Sequence, residues 1–254
     1  MTNDEFISTG IDKLDNLLEG GILRGFTTLI FGSPGSSIEI LSKQLSTKGS
    51  VLYFTTEETE DEVVKTIGRF GWNPENIEFV DIASKYSQTI LNREKKRVSI
   101  YEQRSKLKIK ELIELGSSGM APLVRAGEDF LAILSNEIRE SSFDKIIINS
   151  LDFFLSRYSQ EEVLRTLHAA KVSNIEKKGV LFIIMTRGIH GDIFERRMEG
   201  IADCILDLEV IQKGSTFERF LAVKKMRNYA KKIGIARYGI DSDGFILEMI
   251  ERIM

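Results

Sequence analysis

The segment whose spacing carries the most chemistry is Phe31-Gly32-Ser33-Pro34-Gly35-Ser36-Ser37-Ile38-Glu39. It lies between an apolar run and a helical pattern, which is the setting of a phosphate loop: Gly, four residues, Gly, Lys, then Ser or Thr. Counted from Gly32, Ser37 stands where the second glycine belongs, Ile38 where the lysine belongs and Glu39 where the magnesium-binding hydroxyl belongs. The turn is kept and its functional groups are not. Ile38 offers no charge to a phosphate. Glu39 brings a negative one, and at about 4 Å with an effective dielectric of about 20 a like-charge pair costs about 4 kcal/mol. A carboxylate can ligate magnesium, so Glu39 does not by itself exclude a metal. Ser36-Ser37-Ile38-Glu39 also fits the Ser-x-x-Glu capping box, which would occupy N–H groups that otherwise hold a phosphate. The sequence thus predicts a helix that caps itself and a loop without a working nucleotide grip.

The elements around this loop read as strands alternating with helices. Thr27 to Phe31, Val51 to Thr55, Ile77 to Ile82, Lys145 to Ile148 and Val180 to Ile184 are short apolar runs. Helical patterns cover about Ser37 to Thr47, Asp61 to Phe70 and Gln160 to Lys178. Continuous apolar strands with helices between them predict an α/β fold with a mainly parallel sheet covered on both faces. The strand-like runs Cys204 to Ile211, Phe217 to Lys225, Ile235 to Ile240 and Phe245 to Met249 are joined by hairpin signals, Gly214-Ser215 and Asp241-Ser242-Asp243-Gly244. They predict antiparallel strands at one edge of the sheet.

Composition narrows the function classes. With 254 residues, 42% hydrophobic and one cysteine, the chain is neither disordered nor a disulfide scaffold. The apolar runs are far too short to span a bilayer, and Met1-Thr2-Asn3-Asp4-Glu5 lacks the pattern of a secretory signal, so a cytoplasmic protein is expected. Lys and Arg number 35 against 38 Asp and Glu, so any attraction for nucleic acid needs a local patch. One candidate patch is the basic helical stretch 88–115, carrying Arg93, Lys95, Lys96, Arg97, Arg104, Lys106, Lys108 and Lys110. A solvated helical face balanced by Glu94, Glu102 and Glu111 is the simpler account. No linker or repeat marks a boundary, so residues 1–254 are expected to form one domain, with 84–140 a helical, variable segment inside it.

The loop belongs to a longer pattern. Ser8-Thr9-Gly10-Ile11-Asp12-Lys13-Leu14-Asp15 with Leu17-Leu18-Glu19-Gly20-Gly21-Ile22-Leu23-Arg24-Gly25 resembles the segment leading into the phosphate loop in the KaiC-like branch of the RecA/RadA ATPase superfamily. Tyr53-Phe54-Thr55-Thr56-Glu57-Glu58 is similar to the strand that ends in that family's paired glutamates, and Val223-Lys224-Lys225-Met226-Arg227 to its Lys-x-Arg strand. Asp243-Gly244-Phe245 resembles the closing hairpin, so the likeness runs from about Ser8 to Met249. The resemblance implies that Glu57 and Glu58 match the acids that orient water in active relatives. It implies that Lys225 and Arg227 match cations that reach a nucleotide held by a neighbouring subunit. It also implies that Asn149, in Ile146-Ile147-Ile148-Asn149-Ser150-Leu151, stands where a magnesium-supporting aspartate ends its strand. Asparagine is neutral and a poorer magnesium partner. Asp152 is three residues further on and is expected to point elsewhere.

Other constellations carry less. His168 and His190 are the only histidines, with no second histidine or cysteine at metal spacing, so no zinc site is expected. No nucleophile elbow supports Ser-His-Asp catalysis. Cys204, Phe153, Phe154 and Trp72 read as packing residues.

The reading is a non-catalytic RecA/KaiC-like protein acting as a binding or assembly module, with no cofactor and no metal. Its expected partners are further copies of itself or a related chain, with peptide or strand capture as a variant and DNA recombination, repair or signalling as settings implied by the resemblance. Two alternatives stand beside it. One is an ATPase with an unorthodox ATP-magnesium pocket, using Glu57 or Glu58 for water, Lys225 and Arg227 from a neighbour, and Lys43 or Arg187 in place of the missing lysine. The other is a DNA-binding accessory acting through the basic helix 93–110.

Overall fold

The computed structural model describes residues 5–105, 128–229 and 234–248. The chain opens with β1 (Phe6–Ile7), α1 (Asp12–Leu17) and β2 (Ile22–Leu23), β1 and β2 pairing antiparallel. Asp15 of α1 accepts hydrogen bonds from Ser8 Oγ at 2.5 Å and from the backbone N and Oγ1 of Thr9 at 2.7 Å, which gives the leading segment a structural task. Gly21 is needed there: a Cβ on it would lie 2.4 Å from the Ile7 carbonyl oxygen.

The units that follow are β3 (Thr27–Gly32), α2 (Ile38–Leu45), β4 (Val51–Thr55), α3 (Glu60–Arg69), β5 (Ile77–Asp81) and α4 (Ile82–Ser105). After the undescribed stretch come α5 (Phe130–Glu140), β6 (Lys145–Asn149), α6 (Asp152–Leu155), α7 (Gln160–Lys177), β7 (Val180–Thr186) and α8 (Asp192–Ile201). The described chain closes with β8 (Cys204–Lys213), β9 (Thr216–Met226), β10 (Gly234–Asp241) and β11 (Gly244–Glu248). The main sheet has the order β11-β10-β9-β8-β3-β7-β6-β4-β5. It is parallel from β8 through β5 and antiparallel from β8 through β11, as the apolar runs and hairpin signals predicted.

Two cores explain why the central strands carry apolar residues at successive positions. Ile30, Tyr53, Ile147, Phe182 and Leu206 face one side with Leu14 of α1, Leu41 of α2 and Val63 of α3. Leu29, Phe31, Leu52, Phe54, Ile148 and Ile183 face the other with Leu134 of α5, Leu167 of α7 and Met198 of α8. Alternate residues of one strand thus feed opposite cores. Cys204 and Phe154 are fully buried, and Trp72 packs on the first core while stacking on Phe70 at 4.7 Å.

The basic stretch is only partly described. Helix α4 runs to Ser105, while Lys106, Lys108, Lys110 and the side chains of Arg93, Lys96, Arg97 and Arg104 lie outside the described residues, as does Met249.

Candidate functional site

The strand order sets Gly32, at the carboxyl end of β3, one strand from Thr186 and two from Asn149, with Glu57 and Glu58 following β4 beyond that. Such a crevice at the carboxyl ends of parallel strands is where open α/β sheets hold ligands. At Gly32 only glycine fits, since a Cβ would stand 2.6 Å from Ser36 Oγ and 2.9 Å from Ile38 Cβ. Gly35 has φ +82° and Ser37 φ +58°. Ser37 therefore adopts the left-handed backbone for which the motif uses glycine.

The predicted capping box does not form. A capping residue needs an extended backbone, and Ser37, the residue before α2, is left-handed and makes no side-chain cap. Ser36 is one position too early; its buried Oγ makes no hydrogen bond among the described residues, while its carbonyl accepts Tyr238 Oη at 2.7 Å. Glu39 is exposed, with no ion pair among the described residues. No side chain caps the first turn of α2, in which Ile40 N donates to the Ser37 carbonyl at 3.0 Å and Leu41 N at 3.3 Å. Ile38, at the lysine position, packs into the first core beside Gly32.

Behind the loop runs a directed hydrogen-bond chain. Asn149 Nδ2 donates to Tyr53 Oη at 2.9 Å, Tyr53 Oη lies 2.9 Å from Ser42 Oγ, and Ser42 Oγ donates to the Glu39 carbonyl at 2.9 Å. Burial pushes the Tyr53 phenol far above its ordinary range, so it stays neutral and acts as a link. The side chain that replaces the expected aspartate therefore has a structural partner.

The paired glutamates diverge. Glu57 is exposed and accepts from Ser150 Oγ at 3.0 Å, next to the cis Asn149–Ser150 peptide. Glu58 pairs with the buried ammonium of Lys43 at 2.5 Å, and Lys43 Nζ also reaches the Glu39 carbonyl at 3.3 Å. Arg187, the other candidate for the missing lysine, has its backbone N on the Gly32 carbonyl at 3.0 Å. Its guanidinium is held by Asp207, by Glu199 at 3.0 Å and by Glu195 at 3.3 Å, and lies 3.5 Å over the Phe31 ring. Both candidate cations are committed to acids of this chain. Asp152 turns towards β7, as expected, accepting from Thr186 Oγ1 at 2.6 Å and meeting His190 Nε2 at 2.7 Å. The His190 contact and the Tyr53 chain join residues far apart in sequence, and no local pattern announced them.

Lys225 and Arg227 lie at the other end of the sheet. Lys225 is level with Ile205, which is level with Leu29, three residues before Gly32 and so about 10 Å from it along the strand. A register shift between Ile205 and Leu206 leaves Lys224 unopposed, a bulge that reverses which residues of β9 face each side. Val223 and Met226 both pack in the first core as a result. Lys225 and Arg227 turn instead to the α8 side, where Lys225 Nζ donates to the Glu199 carbonyl at 2.8 Å and Arg227 pairs with Asp203 at 3.0 Å. Neither reaches the loop of its own chain.

The family model for the KaiC ATPase matches residues 7–251. The chain belongs to the KaiC family. A protein of Thermotoga maritima named UPF0273 is 24% identical over 95% of each chain. The circadian clock protein KaiC2 of Synechocystis is 23% identical over 86% of this chain, which spans only 36% of that relative. Among solved structures, a KaiC-like protein of Pyrococcus horikoshii superposes with a TM-score of 0.68 at 17% identity, covering 96% of this chain and 99% of the other. In KaiC-family terms the chain is a RecA-like ATPase domain. No helix among the described residues is long and apolar enough to cross a membrane.

Proposed function

We propose that this KaiC-family domain does not hydrolyse ATP and serves as a binding or assembly module, joining further copies of itself or a related KaiC-like chain. The observation that carries the reading is the commitment of Ile38, Asn149 and Lys43 around the loop to partners within the chain. Ile38 packs beside Gly32, the Asn149 amide donates to Tyr53, and Lys43 is locked on Glu58. These residues do not fit a magnesium nucleotide: no side chain at the motif positions brings positive charge to the phosphates, and Glu39 adds negative charge. The assembly part rests on Lys225 and Arg227, which face away from their own loop, and on the resemblance that assigns such a pair to subunit contact.

The lack of a side-chain cap at the start of α2 favours the competing ATPase reading, because a helix N-terminus attracts phosphate. Titration calorimetry with magnesium-ATP separates the two. The proposal expects no binding tighter than about 10 μM, which is about 7 kcal/mol of binding free energy. Tighter binding accompanied by phosphate release would overturn it.

A further inference from the structure

A cleft of about 400 Å³ opens near the amino end of β3, between α7 and α8, with Leu164, His168, Lys171, Arg197, Ile201 and Arg227 among its walls. Its chemistry is lopsided. Asp203 is buried and is shared by Lys171 at 2.9 Å, Arg227 at 3.0 Å and the Thr27 backbone N–H at 3.0 Å. One carboxylate thus answers two cations. Beside Arg227, Lys225 has only the Glu199 carbonyl as its hydrogen-bond partner among the described residues. Burial and the neighbouring Arg227 charge hold the Lys225 ammonium below its ordinary range, with Lys171 adding to the repulsion. Arg197 pairs with Glu161, but their side chains are 49% and 70% exposed, so water weakens that pair. The Glu199 carboxylate is turned away to Arg187.

We propose that this cleft binds a small organic anion. Arg197 and Arg227, each about half exposed, take a carboxylate or phosphate head, and the apolar body of the ligand rests against Leu164 and Ile201. His168, exposed at the rim, supplies a further hydrogen-bonding group. An anion here relieves the crowding of positive charge and covers apolar wall in the same step, which a bare inorganic ion cannot do. The site is independent of the loop after β3, which lies at the other end of that strand; it shares Arg227 with the assembly reading, while Arg197 and His168 stand outside the Lys225–Arg227 pair and carry the test on their own.

The test is calorimetry on the full chain with phenyl phosphate, inorganic phosphate and benzyl alcohol, with amide shifts mapped by NMR. Phenyl phosphate is expected to bind with a dissociation constant below about 1 mM, inorganic phosphate about tenfold more weakly, and benzyl alcohol without saturation. The shifts are expected at His168, Gly200 and Ile201. Arg197→Ala is expected to weaken phenyl phosphate about tenfold, and Arg227→Gln likewise. The Arg197 variant carries the test if loss of the Asp203 partner unfolds the other. Absence of saturable phenyl phosphate binding, affinity unmoved by Arg197→Ala, or shifts confined to Gly35 through Glu39 would each overturn the proposal.

Discussion

Lys43 and Glu58 form an ion pair at 2.5 Å in which the lysine side chain is 1% exposed and the glutamate 36%. The two halves of the pair are therefore unequal. Removing the acid strands a buried ammonium, whereas removing the base leaves a carboxylate that water can reach. Glu58→Gln is expected to cost about 2–3 kcal/mol, discounted from the fully buried case for the solvent at Glu58, and Lys43→Met about 1 kcal/mol or less. Urea denaturation of the two variants measures the order, and a larger loss for Lys43→Met would contradict it.

Restoring the loop tests why the nucleotide grip is missing. The variant Ser37→Gly, Ile38→Lys, Glu39→Thr and Asn149→Asp replaces all four departures from the motif. It is expected to bind magnesium-ATP at least about a hundredfold more tightly than the parent, roughly 2.7 kcal/mol, as read by calorimetry. An unchanged affinity would mean that the loop backbone, and not its side chains, prevents binding.

Lys145 gives a pH signature. Its amine is buried at the start of β6, donates to the Leu45 carbonyl at 2.7 Å, and is pushed down to about 7, chiefly by burial. Between about pH 7 and 10.4 the unfolded chain holds a proton on this group that the native chain has released, so stability rises with pH across that window. Below it the native state carries the full cost of a buried charge, on the order of 3–5 kcal/mol. Lys145→Met is expected to be more stable than the parent near pH 6, with the difference shrinking steadily towards pH 10. Denaturation curves at four or five pH values read this directly, and a difference independent of pH would refute it.

Assembly has its own measurement. If Lys225 and Arg227 join copies, the parent sediments as a multiple of 28.8 kDa, and Lys225→Ala with Arg227→Gln sediments as the single chain. Circular dichroism of the variant confirms that the fold survives. A parent that sediments as one chain at micromolar concentration removes the self-assembly half of the proposal.

The sequence was most legible where one strand decides its own fate. The runs at Leu29, Tyr53, Ile147 and Phe182 are apolar on both faces because helices cover both, and that pattern is local. It failed where geometry overrides a short motif. Ser36 to Glu39 has the letters of a capping box, yet the left-handed backbone at Ser37 starts the helix one residue later and turns the Ser36 hydroxyl inward. The β9 bulge at Lys224 was equally silent, and without it Lys225 and Arg227 would face the opposite core. The Tyr53–Asn149 link and the Lys43–Glu58 pair depend on strand order and helix packing, which no stretch of sequence specifies alone.

The separation of Gly32 from Lys225 and Arg227 along the strands has a geometric corollary. A joint that brings Lys225 and Arg227 of one molecule to the β3 loop of another has two forms: a two-fold pair in which each molecule gives its cations and receives the other's, or a head-to-tail series. Growth through the head-to-tail form is directional, with distinguishable leading and trailing tips. It stops only when the series bends back onto its own start, or when a different protein occupies one tip.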